Sequence, residues 1–349
     1  MNRIAVHRIC GVGDAVQLTP LLRQIRADFP QAHVTCFISE NAASVLRGAP
    51  WIDELVPLTR ESVTPSSSNP ALWRMWHAVA THDRYDLFLH LGSRWLQSLG
   101  AWLVRGGRRA GLSTRVSWRP SPFDTIVTLP TEPREDTIHA SQRYLDLWTA
   151  ATGRADREFG CSLEHLGLSP LAEKFGVSGR YLCFAPGAGN WLHAGDNKRW
   201  PASHWRHLIT LAQADGFSVC ILGGPGDFPK ESLPPGAISL TGRTTLEETA
   251  GLIRHSVGFV GHDSGLFHIA LGLNVPAAAF FGPTREELTG PFRQPRSLIL
   301  RTDIPCARCC RSVCELPDAQ EREMEGSPPC MHEITPSDAW SRLRTFFQP

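Results

Sequence analysis

The stretch Val257–Thr284 constrains the fold more than any other part of the chain. Val257-Gly-Phe-Val260 is a short apolar run, as a buried strand is. A polar turn follows. Leu266–Leu273 then has the length of a short apolar helix, and Val275–Phe281 is a second buried strand. Strand, turn, helix and strand, with both strands fully apolar, is the pattern of a parallel βαβ unit. The turn Asp263-Ser264-Gly265 therefore falls at the carboxyl end of a strand and the amino end of a helix, where open α/β sheets bind ligands. Unpaired backbone N–H groups and the positive helix end suit an anion. Gly265 lets that anion approach the backbone closely. Read alone, the same residues describe a helix capped by Asp263 or Ser264 equally well.

Two further turns of this kind weight the ligand reading, one in each half of the chain. Arg3–Ile9 reads as a strand, Cys10-Gly-Val-Gly-Asp14 as a tight turn, and Ala15–Asp28 as a helix with Val16, Leu18, Leu21, Leu22 and Ile25 on one face. Tyr181–Ala185 reads as a strand that runs into Pro186-Gly-Ala-Gly-Asn190, and Ala202–Ala214 as the next helix. Between them the chain alternates strands (His33–Ser39, Ile52–Leu58, Tyr85–Leu91, Asp124–Leu129) with helices (Leu72–Thr81, Trp95–Val104, His139–Thr152). The second half repeats the scheme, with strands at Phe217–Gly223, Ala237–Leu240 and Ser297–Leu300 and a last helix at Pro336–Phe347. This alternation predicts an α/β fold with two parallel-sheet domains. They are expected over residues 1–165 and 171–335, joined through a linker in Gly153–Pro170, with residues 336–349 forming a closing helix. A length of 349 residues suits two domains. Thr59–Pro70, rich in Ser, Thr and Pro, reads as a loop.

The ordered set of motifs resembles glycosyltransferase family 9, the heptosyltransferases that include the ADP-heptose:lipopolysaccharide enzymes. The segments that carry the likeness are Gly13-Asp14 with Thr19-Pro20-Leu21-Leu22, Phe29-Pro30, Lys198-Arg-Trp-Pro201, Leu222-Gly-Gly-Pro-Gly-Asp227, and His262-Asp-Ser-Gly-Leu-Phe-His268 with Phe281-Gly-Pro-Thr284. They run in family order over nearly the whole chain. The resemblance implies the GT-B architecture, in which two Rossmann-like domains face each other across a cleft.

Glycosyl transfer needs a base for the acceptor hydroxyl and charge stabilisation for the departing diphosphate. Asp14 is the only acid of the first glycine turn, and the resemblance makes it the catalytic base; the bland alternative is a helix cap. Lys198 is one of only three lysines in the chain. It lies just before a helix, from where it reaches a phosphate as a point charge, and the resemblance assigns its position to the donor diphosphate. Asp263, Ser264 and Gly265 complete the expected donor site, with Gly187 and Asp227; an Asp after Gly-Gly-Pro-Gly also reads as a simple turn former. Asp263 is itself anionic, so its side chain is expected at a ribose, a sugar hydroxyl or its own cap rather than at phosphate. The expected reaction is metal-independent, inverting heptose transfer from ADP-heptose to a lipopolysaccharide inner core or a similar anionic acceptor. A protein-modifying (autotransporter-type) heptosyltransferase and an inactive sugar-nucleotide-binding protein are the competing readings.

Arg94–Arg119 holds six arginines and no acid, interleaved with Trp95, Trp102 and Trp118. Arginine forks suit phosphates, and tryptophan suits sugars or a membrane interface. Arg94 and Arg105 are thus the acceptor-binding candidates, for an anionic lipid-linked glycan at the inner membrane face. An ordinary arginine-rich surface is the alternative. A net charge of +1 and the lack of any recognisable motif argue against nucleic acid. The amino terminus lacks a signal-peptide core and no apolar run spans a bilayer, so a cytoplasmic protein is expected.

Of ten cysteines, Cys10, Cys36, Cys161, Cys183 and Cys220 sit in or beside expected strands and read as buried small hydrophobes. Cys306, Cys309, Cys314 and Cys330, with Cys310 spare, fall in the Pro- and Glu-rich segment 303–333. In a reducing compartment four such thiols suggest a structural zinc or iron rather than disulfides. Iron held by four cysteines in some related protein heptosyltransferases points the same way. Free cysteines in a surface loop are the alternative.

Overall fold

Buried apolar strands that each lead into a helix pair in parallel, and all ten strand pairings described are parallel. The computed structural model describes residues 1–59, 70–92, 98–114, 121–130, 136–188, 196–229, 233–311, 313–314 and 327–348. Two units result, Met1–Leu166 and Gly167–Pro349.

The first unit contains β1 (Arg3–Arg8), α1 (Val12–Asp28), β2 (His33–Ser39), β3 (Glu54–Leu58), α2 (Pro70–His82), β4 (Tyr85–His90), β5 (Gly106–Thr114), β6 (Thr125–Leu129) and α3 (Ala140–Thr152). Its sheet order is β3-β2-β1-β4-β5-β6. The order reverses between β1 and β4, so a crevice opens beyond their carboxyl ends. The turn carrying Asp14 lies there. α1 continues through Pro20, which cannot donate to the Val16 carbonyl. The Thr19 hydroxyl donates to that carbonyl instead at 2.7 Å and accepts from the Ser162 N–H at 3.0 Å. The Thr-Pro pair thereby keeps the helix intact and anchors the end of the unit.

The arginine-rich stretch departs from expectation. The described part of the expected helix Trp95–Val104 is a short 3-10 helix over Leu99–Leu103, and Gly106–Thr114 forms a strand that the sequence pattern did not predict. Three glycines in Gly-Gly-Arg-Arg-Ala-Gly carry no strand signal. Their reason is spatial: a Cβ at Gly106 would stand 2.1 Å from the Tyr85 carbonyl oxygen, and one at Gly107 2.5 Å from that of Asp86. Most of the loop expected over Thr59–Pro70, together with Arg94, Trp95 and Trp118, lies outside the described residues.

The second unit contains β7 (Tyr181–Ala185), α4 (Ala202–Ala214), β8 (Ser218–Ile221), β9 (Ile238–Ser239), α5 (Leu246–Arg254), β10 (Gly258–His262), α6 (Gly265–Gly272), β11 (Ala277–Phe280), α7 (Glu286–Thr289), β12 (Ser297–Leu300), α8 (Pro329–His332) and α9 (Pro336–Phe347). Its order, β12-β11-β10-β7-β8-β9, is the same Rossmann order, reversing between β7 and β10. Trp200 stacks on Phe280 at 4.3 Å and meets Trp205 edge-on at 5.3 Å. α9 buries Trp340, Leu343 and Phe347 in the same core, and Trp340 Nε1 donates to Asp215 at 2.9 Å. Phe347 fills the space beside Gly258, where a Cβ would meet its ring at 2.1 Å.

His7 and His90 are register partners on β1 and β4. Their Nδ1 atoms lie 2.8 Å apart, so one donates and the other accepts, and both rings sit against Trp76 in the core. Burial, with the Arg8 charge, holds His7 at about 3. Burial and the His7 and Arg8 charges push His90 well below its ordinary value. Both are therefore neutral in the fold, whereas the unfolded chain takes up protons below a pH of roughly 6.5. The unfolded state then binds more protons, and stability should fall as pH drops from about 6.5 toward 3. The slope should approach roughly 1.4 kcal/mol per pH unit for each imidazole. Urea unfolding at pH 7 and pH 5 checks this: the parent should lose stability, and His7→Leu/His90→Leu should lose markedly less.

Candidate active site

The switch point of the second unit gathers most of the expected donor residues. β10 ends at His262, Asp263 and Ser264 follow, and α6 starts at Gly265. Ser264 occupies the cap position in extended conformation and makes no side-chain cap bond. Nor does the Asp263 side chain cap the helix. The Asp263 carboxylate turns inward, with its side chain only 6% exposed. Lys198 Nζ donates to its backbone carbonyl at 3.3 Å and to Oδ2 at 3.4 Å. Thr289 Oγ1 donates to Oδ2 at 3.0 Å, and His268 Nε2 lies 3.5 Å from Oδ1. Burial alone would raise the Asp263 carboxyl. The Lys198 ammonium and the His268 and Thr289 hydrogen bonds overcome it and hold the group well below the usual carboxylate range. The Lys198 ammonium beside a helix start that Ser264 does not cap is an arrangement suited to a diphosphate.

His262 ties two of these turns together. The Trp200 N–H donates to Nε2 at 3.0 Å, so Nδ1 carries the ring proton and faces the Gly187 carbonyl at 3.3 Å. Burial and the Lys198 and Arg199 charges keep the ring neutral, with its pKa held down to about 3. Gly187 lies against Asp227: a Cβ there would stand 2.2 Å from Asp227 Oδ2. The same oxygen accepts from the Gly224 N–H at 2.7 Å. Asp227 thus shapes its own turn and walls the Gly187 loop.

The cysteine segment packs beside this site. Cys306, Cys309, Cys310 and Cys314 are half-buried and Cys330 is buried. A Cβ at Gly282, just beyond β11, would stand 2.9 Å from Cys330 Sγ. Burial and the proximity of Cys306, Cys309 and Cys314 push the Cys330 thiol up to about 12. Cys306 is raised by burial and by Cys314 and Cys309. Among the described residues, however, no group of three or more His, Cys, Asp or Glu stands in a metal-holding arrangement. Cys10, Cys36, Cys161, Cys183 and Cys220 are all buried, as their strand positions predict.

The model of glycosyltransferase family 9 (heptosyltransferase) matches residues 72–320, which include the whole of this site. The chain belongs to glycosyltransferase family 9. Lipopolysaccharide heptosyltransferase 2 of Salmonella typhimurium is 30% identical to it, over 82% of this chain and 85% of that protein. Among solved structures, a family 9 glycosyl transferase from Veillonella parvula superposes with a TM-score of 0.80 at 21% identity, covering 99% of this chain and 97% of that one. ADP-heptose lipopolysaccharide heptosyltransferase II of E. coli gives 0.73 at 21% identity, over 99% and 98%. The two Rossmann sheets are those of a GT-B glycosyltransferase.

Asp14 precedes the matched stretch. In this glycosyltransferase it lies in the first turn of α1, where its Oδ2 accepts from the Gly11 N–H at 3.2 Å and its Oδ1 pairs with Arg8 at 3.3 Å. Gly11 has no side chain to reciprocate, so this is half a capping box. The carboxylate remains 40% exposed, while the Arg8 side chain is 19% exposed and also donates to the Leu91 carbonyl across the β1–β4 switch point. Arg105 is exposed between the 3-10 helix and β5. Arg94 lies outside the described residues. His262, His268 and Thr289 had no role assigned from sequence: both histidines flank Asp263 in one motif, but Thr289 comes from a separate helix and left no local signal.

Replacing His262 by Leu leaves the buried Trp200 N–H without its acceptor, a loss of about 1–3 kcal/mol. Chemical denaturation of the variant should show that fall. Unchanged stability would mean that Trp200 has found another acceptor.

Proposed function

We propose that this glycosyltransferase transfers a heptose from ADP-heptose, with inversion, to a lipopolysaccharide inner-core or similar anionic glycan acceptor. The observation that carries the reading is Lys198, paired with the buried Asp263 at a helix start on the sheet's switch point. The names of its relatives support the choice of sugar and acceptor. In the proposed reaction Asp14 removes the acceptor hydroxyl proton. The oxygen attacks the anomeric carbon from the face opposite the diphosphate, and the bond to the diphosphate breaks. Lys198 and the start of α6 stabilise the ADP that leaves, in the role a divalent cation fills elsewhere. Ser264, Gly265 and Gly187 line the diphosphate, Asp263 serves it by holding Lys198, and Asp227 by shaping the Gly187 turn. Arg94 and Arg105 take the acceptor's phosphates. In this reading the enzyme works in the cytoplasm and meets its acceptor at the inner membrane face, as an acceptor of lipopolysaccharide type requires.

Two substitutions test the roles separately. Lys198→Ala removes one charged hydrogen bond to ADP, worth about 1.5–3 kcal/mol, so calorimetry should show at least a roughly tenfold loss of affinity. Asp14→Asn keeps size but not basicity. Turnover should fall by roughly two to four orders of magnitude with ADP affinity unchanged. Transfer should persist in EDTA. Retained turnover in the Asn variant would leave Asp14 as a cap only.

The cysteine segment is proposed to hold one structural zinc or iron through Cys306, Cys309, Cys314 and Cys330. The chemistry of the donor set supports this, because four thiolates are ligands that zinc and iron favour. Elemental analysis should find about one metal per chain, which Cys309→Ser should release and Cys310→Ser should not. Metal-free protein with freely alkylated cysteines would refute the assignment.

A further inference from the structure

The segment between Cys306 and Arg311 touches both partners of the Lys198–Asp263 pair, each through one intermediary. On the Asp263 side the intermediary is α7, a single turn of four residues. One turn cannot hold itself in water, because nucleation costs more than its few hydrogen bonds return. It is held from outside. Arg308 ion-pairs with Glu287 and lies 3.6 Å from Glu286, and Arg301 reaches the other Glu286 oxygen at 3.2 Å. The Arg308 N–H donates to the Gly282 carbonyl at 2.7 Å and the Cys310 N–H to that of Pro283 at 2.7 Å, so the segment also clamps the turn leading into α7. Arg308 and Cys310 adopt left-handed backbone (φ 61° and 57°) to make both contacts. The last residue of α7 is Thr289, which donates to Asp263 Oδ2. On the Lys198 side, the neighbouring Asn197 side-chain amide donates to the Arg311 carbonyl.

We infer that the Cys306–Arg311 segment is a positioning brace for the donor site, with Arg308 its principal contact. Arg308 acts through α7 and Thr289 on Asp263, and Asp263 in turn sets where the Lys198 ammonium stands. Without the brace Thr289 swings away, Asp263 loses a donor, and Lys198 is drawn further toward the carboxylate and away from a phosphate. In this role Arg308 is a positioning residue, acting through Glu286 and Glu287. The inference rests on the reading of Lys198 as the diphosphate ligand.

Calorimetric titration of the full-length protein with ADP tests it, using Arg308→Ala, Thr289→Val and Lys198→Ala alone and in pairs. Thr289→Val deletes only the hydroxyl and serves should Arg308→Ala fold poorly. Both brace variants should weaken ADP about fivefold, the scale of coupling between residues of one network. In the Lys198→Ala background neither should weaken it further, because their effect passes through that ammonium. The donor KM should rise in the same proportion while the acceptor KM stays at the parent value. Loss of affinity in Lys198→Ala alone overturns the brace and leaves the donor site standing. Losses that add in the double variants also overturn it, since a general loosening of the fold would act independently of Lys198. Unchanged affinity in all three overturns the donor-site reading and the brace with it.

Discussion

A carboxylate taken out of water must be compensated, and the second unit is organised around doing so for Asp263. Its partners come from three separate places in the sequence: Lys198 from the loop before α4, His268 from α6 and Thr289 from α7. Only His268 is near it in sequence; Lys198 and Thr289 are distant, so the charge cannot be fully satisfied until the β7–β10 switch point has formed. Removing any one partner leaves a buried anion partly unpaired, which costs far more than an exposed pair of the same geometry would contribute. The site is therefore as rigid as the packing that surrounds it. His262 extends that rigidity outward, since one neutral ring fixes both the Gly187 turn and the Trp200 backbone.

The first unit handles charge differently at its own switch point, where Asp14 follows β1. Arg8 is largely buried while Asp14 is left half in water. A carboxylate with one exposed edge can accept a proton from a substrate hydroxyl; one enclosed like Asp263 cannot do so without losing its partners. Asp14 follows β1 and lies within the first turn of α1, whereas Asp263 follows β10 and precedes α6; they differ also in exposure and in the number of donors.

Much of the architecture was legible in the sequence because it is written in periodicity. Val257–Val260 and Val275–Phe281 are apolar on every position because strands covered on both faces must be, and the glycine turns follow them at once. Asp263 and the helix start could be placed for the same reason, whereas the role expected of Lys198 came from the family resemblance. What could not be read depends on contacts between distant residues. β5 was missed because its glycines answer to the β4 backbone rather than to strand propensity. Thr289 was missed because a single turn held by Arg308 and Arg301 has no period to detect. Asp263 was expected to face a sugar or its own helix cap, and the inward turn of its carboxylate follows from partners that no local pattern announces.

The position of α9 has a consequence for how the molecule is made. The first unit closes on itself by Leu166, with Ser162 bonded to Thr19 and His165 to Val45. The core of the second unit is incomplete until Trp340, Leu343 and Phe347 of α9 pack on α4 and β12. During vectorial synthesis the first unit can complete its core while the ribosome is still translating the second, whose strands must wait with apolar surface uncovered until Phe347 has emerged. The period of greatest exposure to proteases and to aggregation therefore belongs to the second unit, and it ends only when that helix docks.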